Sequence, residues 1–187
     1  MLPKIINSLT LGLSLVCTSL LAAPIPTVLP PLIVNVAGIQ SYGLYSDPGN
    51  TVLNFNVGAN TTVTSFTWDM ELSSKFPSYL SEMALLFSDS SANGINFIPG
   101  DKDKYSGAKT YAGSVDLTAR NIDFSVGRDG ILRLEFHESY KDLAGAADGA
   151  WNAGTLTFGL HTVPEPSSYA LAGVALVLLG LSRRRVV

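Results

Sequence analysis

Asp101 and Asp103 stand two residues apart in Pro99-Gly100-Asp101-Lys102-Asp103-Lys104-Tyr105-Ser106-Gly107, a loop flanked by glycines. Carboxylates at i and i+2 offer hard oxygen ligands which, completed by backbone carbonyls, suit Ca²⁺. Against that chemistry, the loop has no closing glutamate of the twelve-residue calcium pattern, and Lys102 and Lys104 partly neutralise it. A solvated turn is the favoured reading. Asp142 and Asp148 bracket an Ala/Gly loop, where the same two readings apply.

Other reactive types are sparse. The only histidines are His137 and His161, in different expected strands and without ligand spacing. No serine sits in a Gly-x-Ser-x-Gly elbow. Phosphate loops, dinucleotide fingerprints and HExxH are absent from the sequence. With fourteen acidic residues between positions 24 and 163, some carboxylate pair is inevitable, so a glycosidase pair is not inferred. The expectation is a protein without a catalytic set. Trp68 and Trp151 are the candidates for sugar stacking. Trp68 shares a strand face with Phe66 and Met70 and reads as core. Trp151 lies in a Gly/Ala-rich stretch and is the better candidate of the two for an exposed glycan contact, although core or loop-anchoring use is the leading reading for it.

The elements that would position these residues are strands. Thr62–Leu72 alternates, placing Phe66, Trp68, Met70 and Leu72 on one face and Asp69 and Glu71 on the other. Alternation recurs at Thr51–Val57, Glu82–Phe87, Ile131–His137 and Thr155–His161. In Ile131–His137, Leu132, Leu134 and Phe136 oppose Arg133, Glu135 and His137. Shorter strands are expected at Ile33–Val36, Gly94–Ile98, Gly113–Leu117 and Ile122–Val126. Turn signals separate them, and Gly127-Arg128-Asp129-Gly130 is expected to close a hairpin. The pattern predicts an all-β, jelly-roll-like β-sandwich over residues 24–162, flanked by an N-terminal signal helix and a C-terminal transmembrane helix.

The chain has 187 residues and a mean hydropathy of +0.28, much of it from apolar runs at the two ends. Between the runs lie eight basic and fourteen acidic residues, a net charge of −6, with no basic stripe for nucleic acid. Lys4, then Ile5–Ala23, reads as a secretory signal over residues 1–23. The sole cysteine, Cys17, is inside it, so the remaining chain has neither disulfides nor thiolate chemistry.

At the other end, Val163-Pro164-Glu165-Pro166 is fixed in an extended form by its prolines. An apolar run from Tyr169 to Leu181 follows, and then Arg183-Arg184-Arg185. The arginines mark the cytoplasmic end of a membrane anchor. The anchor is short: about 24 Å at 1.5 Å per residue, against a bilayer core of about 30 Å.

These three parts, in this order over residues 163–187, resemble the PEP-CTERM sorting signal. The resemblance implies a Gram-negative, exopolysaccharide-making source and a membrane-embedded exosortase as partner. It assigns Pro164, Glu165 and Pro166 to the sorting motif and Arg183, Arg184 and Arg185 to the cytoplasmic anchor. The expected life history is export, transient inner-membrane anchoring, and then the cell surface or exterior. Separately, Pro77–Glu82 running into an apolar strand, Glu135–Asp142, and Asp148–Leu156 with its aromatic and Gly-Thr-Leu ending are similar in layout to jelly rolls of the proprotein convertase P-domain type. That resemblance implies an accessory or adhesive role. Three functions follow in order: a structural or adhesive component of an exopolysaccharide matrix, a carbohydrate-binding module, and a secreted hydrolase.

Overall fold

Alternating apolar residues can be buried only against a second apolar face, and here two antiparallel sheets supply each other's. A computed structural model describes residues 26–162, together with Gly173 and Ala175. Eleven strands follow in chain order: β1 (Thr27–Val28), β2 (Leu32–Asn35), β3 (Ile39–Ser41), β4 (Thr51–Asn56), β5 (Thr62–Ser74), β6 (Met83–Ser88), β7 (Gly94–Phe97), β8 (Gly107–Asp116), β9 (Phe124–Ser125), β10 (Ile131–Glu138) and β11 (Gly149–Thr162). A 3₁₀ turn, Leu80–Glu82, precedes β6. The first sheet runs β1-β11-β5-β8, with β2 and β3 also on β11 and β9 on β5. The second runs β4-β10-β6-β7.

The two sheets share one core. Phe66 on β5 meets Phe87 on β6 with ring centroids 4.7 Å apart, and Phe87 reaches Phe158 on β11 at 5.3 Å. Toward one end, Phe136 on β10 meets Trp151 on β11 edge to face at 5.0 Å. Phe66, Met70 and Leu72 are buried and Trp68 is half-buried, as the alternation of β5 requires. That alternation changes phase near Ser65, where the register against Gly159 and Leu160 shifts and Val63 turns inward instead. A second irregularity lies between Trp151 and Ala153. Gly154 beside it has φ +114°, and a Cβ there would lie 2.1 Å from the Asp69 carbonyl oxygen. Only glycine fits that approach.

The all-β expectation agrees with this architecture. The signal helix and the C-terminal transmembrane helix lie outside the described residues. Among the described residues no helix is long and apolar enough to cross a membrane. One local expectation is corrected. Gly127–Gly130 does not close a hairpin, because β9 pairs with β5 in the first sheet while β10 belongs to the second. The turn instead carries the chain between sheets. It runs beside the 57–61 segment that carries β4 into β5, through Val57 N–H to the Gly130 oxygen at 2.8 Å and Asn60 N–H to the Gly127 oxygen at 3.2 Å.

The topology gives the domain two distinct ends. β5 ends, β10 ends, and β6, β8 and β11 begin at one of them, where segments 42–50, 75–82, 98–106 and 139–148 connect the strands. β11 runs its 14 residues to the other end, a distance of roughly 45 Å at about 3.3 Å per residue. There Thr162 pairs with Thr27.

Candidate functional site

The four connections at the first end carry every exposed tyrosine among the described residues. Tyr42 and Tyr45 lie in the first connection, Tyr79 in the second, Tyr105 in the third and Tyr140 in the fourth. Phe76, 81 % exposed, joins them from the second. The exposed large side chains elsewhere are aliphatic: Val28, Ile33, Val52 and Ile122. Tyrosine combines a flat apolar ring with a polar tip at low rotamer cost, and so suits a contact face exposed to water.

These connections are held by buried polar groups. In the first, Asn50 accepts from Gly43 N–H at 3.0 Å and donates from Nδ2 to the Leu44 oxygen at 2.8 Å and Glu135 Oε1 at 2.9 Å. Ser46 N–H donates to the same Glu135 oxygen at 2.6 Å. Arg133 pairs with the other Glu135 oxygen. Burial alone would raise the Glu135 carboxyl, but Asn50, Arg133 and the Ser46 amide together hold it below its ordinary value. His137, two residues on, bonds Asn96 Oδ1 through Nε2 at 3.0 Å and lies edge-on to Tyr45. The alternation of β10 assigns Glu135 and His137 to a solvent face; both are buried, because segment 42–50 covers that face of the sheet.

Asp148, fully buried, organises the fourth connection. It accepts from Lys141 Nζ at 3.1 Å, Asp142 N–H at 2.7 Å and Leu143 N–H at 3.0 Å. In the second, Glu82 accepts from Ser78 Oγ at 2.9 Å and Tyr79 N–H at 2.7 Å. Glu138, on the core face of β10, is different. It is 1 % exposed and neither carboxyl oxygen has a hydrogen-bond partner among the described residues. Burial, with the Asp148 and Glu82 charges nearby, pushes its carboxyl up to about 8 against a smaller pull from the Ser41 hydroxyl and Lys141. Glu138 is therefore largely neutral at pH 7.

The expected site residues take other positions. Trp151 is not an exposed glycan contact: it is 0 % exposed, in the core beneath the tyrosine end. Its Gly/Ala neighbours belong to the start of a paired strand rather than to a loop, with Trp151 opposite Leu72 and Ile39. Asp103 accepts from Lys109 Nζ at 2.8 Å and Tyr111 OH at 2.7 Å, and both hold its carboxyl below the usual range. Asp101 points to solvent beside it as an exposed residue. Asp103 is thus engaged in bracing the third connection while Asp101 is not, and among the described residues no three His, Cys, Asp or Glu side chains are placed to hold a metal ion. His137 and His161 sit at opposite ends of the domain, on β10 and β11. His161 borders a polar depression of about 390 Å³ lined by Thr64, Ser65, Asp116 and Thr118.

Pro164, Glu165, Pro166 and Arg183–Arg185 lie outside the described residues. A family model described as a PEP-CTERM protein-sorting motif matches residues 162–186. The chain carries a PEP-CTERM signal. Such a signal belongs to an exported protein sorted to the cell surface, with exosortase as the processing partner. The PEP-CTERM span starts at Thr162, the last residue of β11, so the signal is joined without a spacer to the end of the domain opposite the tyrosines. Neither the curated proteins nor the solved structures contain a match to the chain.

The tyrosine end escaped the sequence reading because its members come from four connections with no common spacing. The available signal was local: each lies next to glycine, proline, serine or a charged residue outside the alternating runs.

Proposed function

We propose that this is a non-enzymatic, exported matrix protein whose β-domain is held or released through its PEP-CTERM end and contacts extracellular polysaccharide through its tyrosine end. The observation that carries the reading is the polarity of β11. The sorting signal leaves at Thr162, while the exposed aromatics cluster beyond Gly149 at the strand's other terminus. A domain tethered at one end and aromatic at the other presents its contact face outward. Two facing antiparallel sheets with crossings between them are consistent with the jelly-roll reading and with the accessory role it implies. The anchor of residues 169–185 and its three arginines belong to this proposal as a transient inner-membrane stage. A carbohydrate-binding module is the same reading with a defined glycan, and the aromatic connections favour it over a hydrolase.

Intact mass and location in the host, with and without exosortase, test the first half. The expected result is truncation near Pro164–Pro166 and release from the inner membrane only when exosortase is present. A full-length, membrane-retained protein in both strains would sink that half. Loss of the matrix-associated pool on replacing Tyr42, Phe76, Tyr79, Tyr105 and Tyr140 together by Ser tests the second. An undiminished pool would exclude the tyrosine end as the contact face.

A further inference from the structure

Between the first and fourth connections lies a cleft of about 240 Å³, lined by Tyr42, Asp47, Gly49, Lys141, Gly145 and Ala146. We infer that this cleft binds one ring of a neutral, polyhydroxylated glycan. The inference rests on the reading of the tyrosine end as the contact face and names the site within it.

Size comes first. Pockets for drug-sized ligands hold roughly 300–1,000 Å³. The cleft falls below that range, which suits a single sugar ring and excludes a larger buried ligand. Chemistry comes second. The half-exposed Tyr42 supplies a flat apolar wall against which the C–H face of a ring can lie. Asp47 supplies acceptors. Its Oδ1 takes the Gly49 N–H at 2.8 Å, which fixes the carboxylate and leaves Oδ2 for a ligand hydroxyl. Lys141 supplies a donor. Its ammonium has three protons, of which two are directed at the Ala146 oxygen at 2.6 Å and Asp148 Oδ1 at 3.1 Å. One carboxylate and one ammonium on opposite connections leave the cleft without a net charge, so it favours neither anions nor cations as such. A ring that both donates and accepts satisfies the two together.

The site is built before any ligand arrives. Gly43 brings the backbone so close to Asp47 that a Cβ there would lie 2.6 Å from the carboxyl carbon. Asn50 and the buried Glu135 hold this connection from below, and the buried Asp148 positions Lys141. Gly145, at φ +72°, turns the fourth connection back on itself with open space where a Cβ would stand. Rigid walls reduce the ordering cost of binding, which matters for a ligand as small as one ring. Tyr140, adjacent in the chain to Lys141, is 61 % exposed and offers a further ring on the same connection.

The full chain in detergent micelles, titrated with dextran, mannan and cellohexaose and with alginate as the anionic control, tests the site by calorimetry. Binding of at least one neutral probe is expected. Tyr42→Ala and Asp47→Asn should each weaken it by about tenfold, Tyr42→Phe by less than about threefold, and Tyr105→Ala on the third connection by less than about twofold. Circular dichroism of Tyr42→Ala should match the parent, separating a lost contact from a lost fold. Binding insensitive to Tyr42 and Asp47 but lost in Phe76→Ala or Tyr105→Ala would overturn the cleft and leave the tyrosine end standing as the contact face. Absence of binding to all three neutral probes, or a preference for alginate, would overturn both.

Discussion

The two ends of the β-domain are built from different materials. Buried polar and charged residues gather at the tyrosine end: Ser41, Asn50, Ser74, Ser78, Glu135, His137, Glu138 and Asp148. At the opposite end the buried polar residues are Thr61 and Ser88, and the crossings between sheets there rest on backbone hydrogen bonds such as Val57 to Gly130. Burying polar groups stabilises only when each finds a partner, and costs when one does not. The tyrosine end accepts that risk and gains connections of defined shape. The opposite end, from which the sorting signal leaves, does without it. The distribution of buried charge thus follows the proposed division of labour between contact and attachment.

Four substitutions test this contrast, in order of expected effect. Trp151→Ala removes the largest fully buried side chain beneath the tyrosine end and its edge contact with Phe136. It should destabilise the domain by about 3–5 kcal/mol in denaturant titration. A loss below about 1 kcal/mol would mean that this end is looser than its packing indicates.

Glu138→Gln should act in the opposite direction and depend on pH. The folded-state value, near 8, lies above the ordinary carboxyl value of 4.5. The folded state therefore holds the proton more tightly than the unfolded chain between those limits. Stability is complete below about pH 4.5 and falls as pH rises to about 8, by on the order of a few kcal/mol. A glutamine cannot ionise, so the variant should melt higher than the parent at pH 8 and show no such slope. A parent melting temperature that is flat from pH 5 to 8 would show that Glu138 is neutralised by another route.

Asn50→Ala leaves the Gly43 amide and one Glu135 contact unmade and should cost about 1–3 kcal/mol. Its signature is local: amide exchange in segment 42–50 should accelerate more than in β8. At the end from which the sorting signal leaves, Thr62 and Ser125 share an exposed hydroxyl–hydroxyl contact of 2.7 Å. Thr62→Val should change stability by less than about 0.5 kcal/mol. A cost comparable with that of Asn50→Ala would erase the contrast between the ends.

Alternation made most of the architecture readable in advance. The expected Thr51–Val57, Thr62–Leu72, Glu82–Phe87 and Ile131–His137 correspond to β4, β5, β6 and β10, differing by a residue or two at the termini. Thr155–His161 is the second half of β11, whose first half was hidden by the bulge at Trp151–Ala153 and by Gly/Ala residues that carry no alternation. β1 and β3 are too short to show a period. The candidate site was less legible. Glu135 and His137 follow the solvent phase of their strand and are buried only because a distant segment folds over them. Asp101 and Asp103 have ligand-like spacing, yet Asp103 is claimed by Lys109 and Tyr111, six and eight residues further on. Tyr42, Tyr79, Tyr105 and Tyr140 are brought to one end of the domain through topology, which no local pattern encodes.

The position of β11 also governs how the domain meets force. The strand is bonded to β5 along one flank and to β1, β2 and β3 along the other, all antiparallel. A pull on Thr162 from an anchored tail, against a grip on the connections beyond Gly149, acts along the strand axis. Its ladder bonds lie across that axis. They are therefore sheared together instead of being opened one by one from an edge. Resistance to such a pull would be set by the rate of a single cooperative rupture, a kinetic quantity that the equilibrium stability of the domain does not report.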